Sequence, residues 1–149
     1  MKTKIILLSI SLFLVASIGF AQKKDEPKSI INDKISIKKY YNKEELERLQ
    51  KGELLKLYTE RTESLIETLP YIAFATKPGI TMSSLGIPND SDNKKILEVK
   101  VEATREFIQS NRTFQSKILP YSDTNKLISA ILFYEEILKS LHEYSEFRE

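Results

Sequence analysis

The sequence predicts an all-α fold: a three-helix up-down-up bundle with an extended N-terminal arm and a long apolar loop between the first and second helices. Three observations predict it. Apolar residues recur at three- and four-residue spacings over three long stretches, the signature of helices that bury one face. The residues that break helices gather in one place, Lys77–Asp92 (KPGITMSSLGIPNDSD), which holds Pro78, Pro88, Gly79 and Gly86, with Pro70 just upstream. Strand-like alternation is confined to a few residues near the N-terminus.

The chain opens on an address. Met1-Lys2-Thr3-Lys4 is basic, Ile5 to Phe20 is a continuous apolar run, and Gly19 and Ala21 supply small residues at the −3 and −1 positions of a cleavage site. A charged stretch, Gln22-Lys23-Lys24-Asp25, follows at once, and the run is shorter than the roughly 20 residues of a membrane span. Residues 1–21 are therefore expected to be a cleaved export signal. The mature protein is expected in a periplasm or outside the cell, of bacterial type, with no stable membrane insertion.

Loss of residues 1–21 from the 149-residue chain leaves 128, enough for one domain with its own core. Lys2 and Lys4 leave with the signal, so 23 basic residues become 21 against 21 acidic ones. A formally neutral chain lacks the basic excess that neutralises phosphates, and nucleic acid is not an expected partner. There is no cysteine, which removes thiol catalysis, disulfides and thiolate metal sites, and leaves packing alone to hold the fold.

Residues 22–41 read as a basic arm. Between Gln22 and Lys43 seven lysines face Asp25, Glu26 and Asp33. Ser29–Ile37 (SIINDKISI) carries Ile30, Ile31, Ile35 and Ile37 around Asn32-Asp33. An isolated hairpin is marginal in water, so an arm laid across the helices is expected, with one short strand as the alternative.

Residues 42–149 read as the bundle. The first helix starts at Asn42, which caps it with Glu45 three residues on, and runs to Pro70, where proline removes a hydrogen bond and clashes with the preceding turn. Its apolar arc is Leu46, Leu54, Leu57, Tyr58, Leu65, Leu69 and Ile72, with Gly52 weakening it locally by about 1 kcal/mol. The second helix starts near Asp92 or Asn93 and runs to about Lys117. Its stripe is the sharpest in the chain: Ile96, Ala103, Phe107, Phe114 and Ile118, flanked by Leu97, Val101 and Ile108, with Asn111 inside the arc. The third helix follows the turn Pro120-Tyr121-Ser122 with Asp123 or Thr124 as cap. Its seam is Leu127, Ile131, Tyr134, Leu138 and Leu141, while Leu132, Phe133 and Phe147 fall outside. So wide an apolar arc places this helix between two others, or leaves a face for another molecule. The tripeptide Leu-Pro-Tyr recurs at Leu69 and Leu119, each time closing a helix.

Chemistry is sparse. His142 is the only histidine, so helical two-histidine metal motifs are absent. Glu44-Glu45 and Glu135-Glu136 point to different sides of a helix and make no paired-carboxylate site. Gly79 and Gly86 fit no phosphate-binding pattern. No cofactor is implied. The sequence therefore points to a small exported helical protein that binds another protein without catalysis, as an accessory subunit, adaptor or inhibitor. A homo-oligomer through the third helix is compatible with this. The candidate binding residues are Ile80, Met82, Leu85 and Ile87 of the loop and Leu132, Phe133 and Phe147 of the third helix. The alternatives are a carrier of a small apolar ligand under the 77–92 loop, and an enzyme built around His142.

Overall fold

In the computed structural model, residues 28–32 and 37–146 are described. The leader at 1–21, the start of the arm at 22–27, Ile35 and Phe147 lie outside them.

Asn42 begins the helical part through a reciprocal pair of bonds. The Glu45 amide donates to Asn42 Oδ1 at 2.9 Å and the Asn42 amide donates to Glu45 Oε2 at 3.0 Å. The helix this starts, α1, is only Lys43–Leu46. Residues 47–50 then turn with three-residue hydrogen bonds, Arg48 to Glu45 and Leu49 to Leu46, and Gln50 is extended. A fresh helix, α2, runs Lys51–Thr68. The continuous first helix expected from Asn42 to Pro70 is thus broken. Leu46 and Leu54 are both sealed in one cluster with Leu127, Ile128 and Ile131. A straight helix would turn residues eight apart about 80° away from each other, and the break realigns them. It also moves Gly52 into the first turn of α2.

Leu-Pro-Tyr ends α2 and the following long helix in the same way, as single 3-10 turns at Leu69–Tyr71 and Leu119–Tyr121. The exits then differ: Ile72 continues in helical geometry, whereas Ser122 is extended and hands over directly to the next helix. α3 is Ser91–Ile118, capped by Asp90, whose Oδ1 accepts from the Asn93 amide at 2.8 Å. α4 is Thr124–Glu146, with Asp123 accepting from the Lys126 amide at 3.0 Å.

Cross-links give the directions. Lys51 Nζ at the start of α2 donates to the carbonyls of Pro120 and Ser122, both at 2.8 Å, and Arg112 grips Glu63. α3 therefore runs antiparallel to α2. Arg61 meets Glu135 and Tyr58 meets Tyr134, so α4 runs parallel to α2. The result is all-α and up-down-up.

The arrangement of faces departs from expectation. α2 packs closely on α4 and more loosely on α3, while α1 lies on α4. The helix between two others is α2, not the third long helix. The cluster of Leu46, Leu54, Leu127, Ile128 and Ile131, backed by Tyr41, Leu49, Leu55, Leu57, Tyr58 and Leu132, contains no residue of α3.

The 77–92 crossing is ordered by local bonds. Gly79 (φ 92°) and Gly86 (φ 73°) occupy left-handed backbone that a Cβ disfavours. Thr81 and Ser84 exchange backbone-to-hydroxyl bonds across a 3-10 turn at Ser83–Leu85. The arm meets this crossing in one antiparallel bridge, Ser29 to Thr81, with the Ile30 amide donating to the Ile80 carbonyl at 2.8 Å. No strand forms among the described residues; Ile30 and Ile31 are buried as an arm laid across the helices.

Candidate functional site

Among the described residues, six of the eleven exposed large apolar side chains lie on α3. At 3.6 residues per turn, Ile96, Val99, Ala103, Phe107, Phe114 and Ile118 fall within an arc of about 100° and extend over roughly 33 Å of helix. The five large side chains are 68, 63, 58, 62 and 51% exposed. The sharpest amphipathic stripe in the chain, expected to form core, faces outward.

What α3 turns inward is poorer. Its buried residues are Thr104 and Gln115, with Leu97 and Ile108 half-buried. Thr104 Oγ1 and Gln115 Oε1 are buried without a hydrogen-bond partner. The helix is held on its polar side instead: Arg112 Nε and Nη2 donate to the two oxygens of Glu63, each at 2.8 Å, and Lys28 reaches Glu98 at 2.9 Å. Attachment by salt bridges at Glu98 and Arg112, about half a turn around the helix from the stripe, leaves the stripe without cover.

A second constellation lies on the opposite side of α2. Arg61 and Glu135 are both sealed from solvent. Arg61 Nε and Nη2 donate to Glu135 Oε1 at 2.9 and 2.7 Å, Nη1 to Glu60, and Nη2 also to the Lys39 carbonyl at 2.6 Å. The second Glu135 oxygen accepts from the Tyr41 amide at 2.6 Å. Both carboxylate oxygens are thus satisfied, and the end of the arm is fastened into the groove between α2 and α4. Burial pushes the neighbouring Tyr40 hydroxyl above its usual pKa, with Arg61 pulling the other way and Glu135 adding to the rise. Tyr40 shares a 2.6 Å hydrogen bond with His142 Nδ1, the two rings meeting edge-on at 5.9 Å.

His142 also lines a cavity of about 150 Å³ with Ile31, Ser64, Thr68, Lys77 and Leu138. Its walls are mixed in polarity, and its volume is below the roughly 300 Å³ at which pockets for drug-sized ligands begin. The roof expected from Ile80, Met82, Leu85 and Ile87 is elsewhere: Lys77 and Pro78, at the start of the crossing, line it together with Thr76 just before them. Met82 is buried, and Ile80, Leu85 and Ile87 are half-buried.

Of the third-helix candidates, Leu132 packs against the core, while Phe133 is exposed and touches the Tyr134 ring at 6.0 Å. Among the described residues, neither the cavity nor the core cluster brings the loop candidates together with Leu132 or Phe133. Sequence reasoning missed two things. The outward stripe had a partial signal, since Asn111 interrupts an otherwise apolar arc. Arg61 and Glu135 had a better one: each falls at helical spacing among buried leucines and isoleucines (Leu54, Arg61, Leu65; Ile131, Glu135, Leu138), with opposite charge on the two helices.

Among the described residues there is no cluster of His, Asp or Glu able to hold a metal ion, and no helix is long and apolar enough to cross a membrane. Fold and surface together define a three-helix bundle with one helix face left uncovered. Comparison with protein-family models, curated proteins and solved structures returns no match.

Proposed function

We propose that this is an exported, non-catalytic protein that acts by binding another protein chain through the outward face of α3. The observation that carries the reading is the stripe itself. Contiguous exposed apolar surface of several hundred Å² marks an interaction site on a folded protein. Single exposed leucines or phenylalanines are ordinary, but five large side chains in register along one helix are not. A helix presenting such a row can lie in an apolar groove or against another helix.

The test is covalent capture in the host's exported fraction, comparing the wild-type chain with a Phe107→Glu/Phe114→Glu variant. A protein species, whether another chain or a second copy, that cross-links to the wild type and is lost with the variant is the expected result. Equal recovery with both, or no cross-linked protein at all, would sink the proposal.

A further inference from the structure

We infer that the chain seated on the α3 stripe is a second copy of this protein, packed antiparallel about Phe107; the inference rests on the binding function proposed above. Three of its large residues are evenly spaced. Ile96 precedes Phe107 by eleven residues and Ile118 follows it by eleven. A twofold axis through Phe107 therefore sets Ile96 opposite the partner's Ile118, and Phe107 against its own copy. The two residues that flank Phe107 on this face, Ala103 and Ser110, are small and leave room beside the axis. In the same register the partner's Phe114 projects between Ile96, Val99, Lys100 and Ala103, whose i, i+3, i+4, i+7 spacing forms the hole into which such a knob fits. Recurrence at eleven residues keeps the contact line nearly parallel to the helix axis, so one face serves its whole length.

Area agrees with this occupant. At the exposures seen, the five large side chains leave on the order of 600 Å² of apolar surface per copy, or about 1,200 Å² for a pair, which reaches the lower edge of stable interfaces before any rim is counted. The flanks add a signature. In the antiparallel arrangement like flanks meet, so Glu106 lies near its own copy and Lys95 near the partner's Lys117. Glu102 is already paired with Arg105 in its own helix. Added salt screens these like charges, so the dimer tightens as salt rises. Docking on an anionic surface through the lysines would weaken instead.

The test is sedimentation of the protein purified from cells expressing the full chain, over a micromolar concentration range at low and high salt. A dimer that tightens with salt is expected. Phe107→Glu should weaken it on the order of 30-fold or more, with the circular dichroism spectrum unchanged because that ring is exposed. Register is read from cysteines placed in this cysteine-free chain: Lys95→Cys mixed with Lys117→Cys should form a disulfide across the dimer, and neither should do so alone. A monomer at all concentrations that still captures a different protein through the stripe would overturn the second copy and leave the binding function standing. A monomer that floats with phosphatidylglycerol vesicles, and does so only with the stripe intact, would overturn both. A dimer indifferent to Phe107→Glu and Phe114→Glu, or Lys95→Cys cross-linking to itself, would overturn the inference.

Discussion

Arg61 and Glu135 meet at 2.7 Å with their side chains 1 and 0% exposed, joining two parallel helices through a contact that also fastens the arm. A buried pair of this kind contributes little net stability, because desolvation offsets most of the attraction, but removing one partner leaves a bare charge in the interior. Glu135→Gln or Arg61→Met alone should each destabilise by about 3–5 kcal/mol in urea unfolding. The double change Arg61→Met/Glu135→Leu should recover most of that loss, short by about 1 kcal/mol for the Tyr41 amide left without its acceptor. Equal losses in the singles and the double would show that packing, not charge, dominates there.

The placement of faces makes an asymmetric prediction about apolar truncation. Leu54→Ala and Ile131→Ala should each cost about 2–5 kcal/mol, since both residues are sealed in the core cluster. Phe114→Ser, in a helix with the sharper stripe, should change the unfolding free energy of the dissociated monomer by no more than about 0.5 kcal/mol. Measurements at concentrations below dimerisation decide it. A core-sized loss at Phe114 would mean that α3 buries this face within its own chain.

Glu67 supplies a pH-dependent test. Burial raises its pKa above 4.5, Arg105 and Lys100 oppose the rise, and Glu63 adds to it. A carboxyl with a raised folded pKa favours the folded state most below its unfolded value. That contribution is lost as pH climbs through the folded value. Glu67→Gln should therefore raise the melting temperature at neutral pH, with the gap closing below pH 4. An unchanged gap across the range would refute the assignment.

Tyr58 gives the alkaline counterpart. Burial first, and then its 3.2 Å contact with the Tyr134 hydroxyl, push its pKa from 10.0 up to about 12. The neutral form is the one favoured on folding, so this stability is intact below pH 10 and disappears between there and about 12. Ultraviolet titration near the phenolate band should show a late-ionising tyrosine that is absent in Tyr58→Phe. Ionisation of every tyrosine in one step near its ordinary value would contradict it.

Much of this fold could be read from neighbouring residues alone. The Asn42–Glu45 box, the proline stops after Leu69 and Leu119, the caps at Asp90 and Asp123 and the glycine bends at 79 and 86 each depend on hydrogen bonds or sterics within a few positions. The caps that open the second and third long helices fell within a residue or two of their expected places. The helix count and the up-down-up order followed. The break at residues 47–50 did not, because Leu46 and Leu54, though about 80° apart on a straight helix, both fall within its broad apolar arc; only the position of Leu127, Ile128 and Ile131 calls for the break.

The candidate site shows where local reading ends. The period of Ile96, Ala103, Phe107, Phe114 and Ile118 determined that α3 has an apolar face, and nothing in it says what that face meets. The hydrophobic effect is non-directional: it favours removal from water by any apolar surface, in the same chain or another. Tertiary structure made that choice here, through the Arg112–Glu63 grip that holds α3 by its polar side. It also decided that Arg61 and Glu135, charges on two helices separated by 74 residues, would meet in the interior and neutralise one another.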